Sequence, residues 1–86
     1  MDNTTEKFTV DLEVINRYGV LNRITGLYAK RGYNIDNIYT GETSNPDIAR
    51  MVITSKGDEY IRTQMVRQLE KLYDVLKVTL MVETNR

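Results

Sequence analysis

In the stretch Phe8-Thr-Val-Asp-Leu-Glu-Val-Ile-Asn-Arg-Tyr-Gly-Val-Leu21 the hydrophobic period changes once, and the fold follows from that change. Phe8, Val10, Leu12 and Val14 alternate with Thr9, Asp11 and Glu13, the period-2 pattern of a strand buried on one face. Beyond Gly19 the period lengthens: Val20, Leu21, Ile24, Leu27, Tyr28 and Arg31 share one helical stripe, and Gly32 stands where a C-terminal cap belongs. A strand from Phe8 is therefore followed by a helix over Val20 to Arg31.

Further along, Tyr33 to Thr43 reads as a second strand. Ile35 and Ile38 have opposite parity in it, which requires either a bulge or partial cover on both faces. Ser44-Asn-Pro-Asp47 is a turn cluster, because proline pre-sets φ while Asn and Asp bond locally to the backbone. A hairpin then leads into a third strand over Ile48 to Lys56, with Ala49, Met51 and Ile53 on one face. Gly57-Asp58 supplies a stop and a helix N-cap. The second helix carries Ile61, Met65, Gln68, Leu69 and Leu72 on a stripe opposite Arg62, Arg67, Glu70 and Lys71. Leu76, Val78, Leu80 and Val82, alternating with Lys77 and Thr79, form the last strand.

The order βαββαβ in a chain of 86 residues gives an α+β, ferredoxin-like fold, with two helices on one face of a four-stranded antiparallel sheet. The other face and the edges stay open. The expected domain spans residues 8–83, with polar tails at 1–7 and 84–86.

Composition narrows the function. Cys and His are both absent, which removes thiol nucleophiles, disulfides, imidazole bases and nearly all transition-metal sites, so neither a catalytic set nor a metal or cofactor site is expected. Lys plus Arg equal Asp plus Glu at 12 each, so the zero net charge argues against nucleic acid or a membrane surface as a partner. No apolar run reaches membrane-spanning length and the first residues lack a signal-peptide core, which makes the cytoplasm the expected location. A domain this short with an open sheet edge needs further burial, and a homodimer is the expectation.

Two elements carry chemistry: Asn16-Arg-Tyr-Gly-Val-Leu21 at the entrance of the first helix and Arg31-Gly-Tyr-Asn-Ile35 at the start of the next strand. A free helix N-terminus offers unpaired N–H groups and partial positive charge to a carboxylate, and glycine lets that carboxylate approach closely. With an asparagine opposite, a small zwitterion fits between them, which points to amino-acid sensing. Taken alone, Gly19 is also explained as a turn, and Asn34 as a residue bridging backbone at a strand start. An RNA-binding module on this topology would need aromatic platforms on the central strands, where only Phe8 occurs. An acylphosphatase-like hydrolase would need an anion loop with an Arg and an Asn, which Arg17 and Asn34 supply in name.

The run from Gly19 to Ile35, followed by Asn45-Pro-Asp-Ile-Ala-Arg-Met-Val-Ile53, Gly57-Asp-Glu59 and Gln68-Leu-Glu-Lys-Leu-Tyr-Asp-Val-Leu-Lys-Val78, resembles the ACT domain of acetohydroxyacid synthase (acetolactate synthase) regulatory small subunits. The resemblance implies a noncatalytic subunit that dimerises, binds a branched-chain amino acid, mainly valine, and stimulates and feedback-regulates a thiamine-diphosphate-dependent catalytic large subunit. It also implies a ligand site between the loop entering the first helix of one protomer and the start of the second strand of the other. Asn16, Gly19 and Asn34 fall on its ligand positions, and Val20, Leu21 and Ile35 complete the set. Backbone N–H groups from Gly19 to Leu21 suit the carboxylate, the amide oxygens of Asn16 and Asn34 the ammonium, and Val20 or Ile35 the isopropyl group. The chain departs from the family's long form at Ile15, where that form has glutamate, and at Arg17-Tyr18, where it has small residues.

Overall fold

The alternation that begins at Phe8 extends two residues further back in the computed structural model, which describes residues 6–83. Glu6 and Lys7, read as tail, are strand residues opposite Gly57 and Lys56. Residues 1–5 and 84–86, the rest of the expected tails, lie outside the described residues. The elements are β1 (Glu6–Ile15), α1 (Val20–Lys30), β2 (Asn37–Glu42), β3 (Ile48–Gly57), α2 (Glu59–Glu70) and β4 (Val75–Val82). All pairings are antiparallel, in the spatial order β2-β3-β1-β4, so the ferredoxin-like α+β arrangement stands.

Parity builds the core. Phe8, Val10, Leu12 and Val14 face inward from β1, paired in register with Ser55, Ile53, Met51 and Ala49 of β3. Val20, Ile24 and Tyr28 of α1 and Met65 and Leu69 of α2 close over them. Each such apolar side chain contributes about 1.5–3 kcal/mol by leaving water. Burial also pushes the Tyr28 hydroxyl above the usual phenol range.

The helix ends obey the residues that flank them. Gly32 has φ of 75°, its N–H donates to Ala29 O at 3.0 Å, and the Tyr33 N–H donates to Tyr28 O at 2.9 Å, a Schellman closure of α1. Asp58 caps α2: its Oδ1 accepts the Ile61 N–H at 2.9 Å. Arg62, read as part of a solvated helix face, is half-buried and reaches Glu6 of β1 at 3.0 Å.

Two strands differ from the sequence reading. β2 begins at Asn37, not Tyr33; Tyr33 and Ile35 pack on the core from a loop, and the opposite parity of Ile35 and Ile38 marks the passage from loop to strand. The irregularity lies in β4 instead. Glu13 pairs with Lys77 but Val14 with Val75, so Leu76 is the extra residue of a bulge and is exposed, while Val75 takes the inward place. The Ser44–Asp47 turn forms as expected, with Asn45 Oδ1 accepting the Asp47 N–H at 2.9 Å and Thr43 Oγ1 donating to Ile48 O at 2.8 Å. On the open face of the sheet a two-pronged Arg50–Asp11 contact, 3.0 and 2.6 Å, holds the Asp11 carboxyl below its ordinary range.

Candidate functional site

Where β1 ends, the chain must turn back over the sheet, and the residues from Asn16 to Gly19 do so. The Asn16 N–H donates to Asp47 O at 2.8 Å and its side-chain Nδ2 donates to Pro46 O at 3.0 Å, so the β2–β3 turn and the α1 entrance are fastened to one another. The donor in use is the amide nitrogen, which leaves Asn16 Oδ1 open to a further donor. Gly19 follows with φ of 88°, a left-handed conformation suited to glycine, and serves as the N-cap of α1 with no side-chain oxygen to close it. The Val20 N–H turns back to Arg17 O at 3.2 Å, but the N–H groups of Gly19, Leu21 and Asn22 have no acceptor among the described residues. The positive end of the helix is therefore open.

That end borders a cleft of about 380 Å³. Val14, Val20, Ala49 and Met51 give it an apolar floor, Asn16, Arg17 and Leu21 bound it on the α1 side, and Thr40, Gly41 and Glu42 on the β2 side. Leu21, read as part of the core stripe, is 46% exposed at this cleft. A smaller polar hollow of about 240 Å³ adjoins it, lined by Asn16, Glu42 and the Thr43–Pro46 turn. The size and mixed lining suit a small molecule with an apolar side chain and charged ends.

The structure brings together Asn16, Val20 and Leu21, with Gly19 at the helix entrance beside them. It does not bring Asn34 and Ile35 to the same place. They lie beyond the other end of α1, whose 11 residues separate the two ends by about 16 Å, with Asn34 exposed and Ile35 half-buried. Within one chain Arg17 and Asn34 thus form no common anion loop of acylphosphatase type. The RNA reading also loses its platform, since Phe8 faces the core and β1 and β3 present no aromatic side chain on the open face.

Sequence reading passed over Asp74. Its carboxylate is fully buried at the α2–β4 turn, with Arg23 Nε 2.8 Å from Oδ2 and Arg17 Nη1 3.9 Å from Oδ1. Neither contact is a well-directed hydrogen bond, so the attraction is chiefly ionic. The Tyr73 ring lies under both guanidinium groups, at 6.0 and 5.8 Å, and the Ile15 N–H donates to Asp74 O at 2.8 Å. The α1 entrance is thereby held from outside. The available signal was a lone acid between Leu72-Tyr73 and Val75-Leu76, an apolar setting in which a carboxylate needs partners. Glu42, likewise passed over, stands on a strand position of inward parity.

No group of three or more His, Cys, Asp or Glu side chains among the described residues is arranged to hold a metal ion, and no helix of the described residues is long and apolar enough to cross a membrane.

Comparison with known proteins agrees with the fold. Residues 10–77 match the AHAS small subunit-like ACT domain family. The chain is 47% identical to the acetolactate synthase small subunit of Bacillus subtilis, over 85% of this chain and 43% of that protein. It is 44% identical to the acetolactate synthase isozyme 3 small subunit of Escherichia coli K12, over 74% of this chain and 39% of that protein. The crystal structure of the acetolactate synthase small subunit from Thermotoga maritima superposes with a TM-score of 0.80 at 39% identity, covering 86% of this chain and 46% of that one. The chain spans less than half the length of each of these three relatives. With the family matched across most of its length and the βαββαβ sheet in place, the chain belongs to the ACT domains of the acetohydroxyacid synthase small-subunit family.

Proposed function

We propose that the chain acts as a noncatalytic regulatory subunit of acetohydroxyacid synthase that binds a branched-chain amino acid, mainly valine, and passes its presence to the catalytic large subunit. The observation that carries this reading is the open start of α1 beside an apolar cleft of about 380 Å³. Unpaired N–H groups at a helix N-terminus suit a carboxylate, Asn16 Oδ1 suits an ammonium, and Val20, Leu21 and the cleft floor suit a branched aliphatic side chain.

Two of the six expected ligand residues, Asn34 and Ile35, are out of reach in one chain, and a homodimer supplies them. Asn34 and Ile35 of a second copy complete the pocket when two protomers pair, and the exposed edge of β2 offers a strand for that pairing. Ligand binding between two copies also gives the effector a means to act: it favours one arrangement of the assembly over another, and only a difference in affinity between arrangements can shift them. The unit that performs this role, in the cytoplasm, is the domain expected over residues 8–83, extended by the first strand back to Glu6.

Reconstitution with the cognate catalytic subunit tests the proposal. Addition of the chain raises the rate of acetolactate formation from pyruvate, and valine lowers that rate only when the chain is present. A rate indifferent to the chain discards the subunit reading; calorimetric binding of valine in that case identifies an amino-acid-binding ACT domain that regulates another protein.

A further inference from the structure

Glu42 is the last residue of β2 and pairs with Ala49, so it shares the helix-facing side of the sheet with Ile38 and Thr40. Glu42 is exposed and makes no ion pair among the described residues, so its carboxylate is free to take a ligand. It lines both the apolar cleft and the polar hollow next to it, the only acid in either lining among the described residues. On the α1 side of the cleft, Arg17 is the one cation among the described lining residues. Arg17 is the looser partner of Asp74, 3.9 Å away where Arg23 stands at 2.8 Å, and its side chain is 52% exposed. Loss of the Arg17 contact leaves the buried carboxylate still matched by Arg23.

β3 lies between β1 and β2, so the two walls of the cleft are two strand spacings apart, about 9–10 Å. Glu42 lines this gap, whereas the Arg17 guanidinium lies 3.9 Å from Asp74 at the α2–β4 turn and reaches the gap only by leaving that contact. Glu42 on one wall and the open, positive start of α1 on the other, with an apolar floor between, match a zwitterion in one orientation.

Resting on the reading of this cleft as an amino-acid site, we propose that Glu42 binds the α-ammonium of the ligand, while Arg17 joins the free N–H groups of α1 on the α-carboxylate. One chain then fixes both ends of the ligand, and the second copy closes the site over it.

Calorimetry of the full chain with L-valine tests the assignment. Glu42→Gln and Arg17→Gln each weaken binding roughly tenfold or more, the loss expected for one charge-assisted hydrogen bond, and Glu42→Asp recovers part of it. Melting temperatures without ligand stay within experimental error for the two Glu42 variants, which separates a ligand contact from a structural one. Wild-type affinity in Glu42→Gln overturns the ammonium assignment, and wild-type affinity in Arg17→Gln overturns the carboxylate assignment; both leave the amino-acid reading intact. No binding of valine, leucine or isoleucine to the unaltered chain overturns that reading and this proposal together.

Discussion

The two helices begin in opposite ways. α2 is closed by its own residue: Asp58 Oδ1 accepts the Ile61 N–H at 2.9 Å, and Glu59 in the first turn adds negative charge at the positive end. α1 begins at a glycine, has no acid in its first turn and leaves the Gly19, Leu21 and Asn22 N–H groups without acceptors among the described residues. It is steadied instead by neighbours in space, through Asn16 on the β2–β3 turn and Arg17 and Arg23 on Asp74. α2 caps itself with its own side chain, whereas α1 leaves its donors free and takes its stability from neighbours in space.

Gly19→Asp strikes hardest at this difference, because it gives α1 the acid that α2 already has. Added atoms at Gly19 meet nothing within 4 Å, so the cost to folding comes from φ of 88°, about 1–2 kcal/mol. Binding suffers more: a carboxylate at the donor cluster removes valine affinity by more than about 100-fold, that is over about 2.7 kcal/mol at the calorimeter. Retained affinity places the ligand away from this helix start.

Next in size is the outside support. Asp74→Ala leaves two guanidinium groups without their buried carboxylate, and because both are half-exposed and regain water, the expected loss is about 2 kcal/mol rather than the full cost of a stranded buried charge. Denaturant unfolding reads that loss, and calorimetry reads weaker valine binding in the same variant. A fall in stability with unchanged affinity shows that Asp74 supports the fold without placing the entrance.

Asn34→Ala sharpens the comparison from the far end of α1. It weakens valine binding roughly tenfold by removing a hydrogen bond to a charged group, while the melting temperature stays put because the side chain is exposed. Unchanged affinity removes Asn34 from the site. The smallest effect belongs to α2: Asp58→Ala lowers stability by about 1 kcal/mol through loss of the cap and leaves valine affinity unaltered. If valine affinity drops there too, the two helix starts are coupled and the contrast between them fails.

The sequence disclosed most of what local pattern controls. The alternation of Phe8 to Val14, the Gly32 cap and the Asp58 cap each depend on neighbours along the chain, and each is where the pattern put it. The start of β2 was misread because Tyr33 and Ile35 pack on the core from a loop, and burial of alternate residues looks the same whether or not a ladder follows. Leu76 was misread because a bulge depends on the partner strand, not on β4 itself. At the cleft, the entrance motif was legible through its glycine, whereas Asp74 and Glu42 acquire meaning only when β4 and β2 are folded beside α1. Asn34 marks the same limit from the other side, since its expected role depends on a second copy.

The register of β1 has a consequence for how the chain reaches this state. Phe8 is paired across with both Ser55 and Val82, so the first of the four strands is flanked by two that are made much later. Its strand partners close loops of about half the chain and of nearly all of it, and such distant pairings slow folding relative to helical proteins of equal size. On the ribosome, Glu6–Ile15 has no partner strand until Ile48–Gly57 has emerged and keeps one edge open until Val75–Val82 follows, and during that interval it is exposed to mispairing.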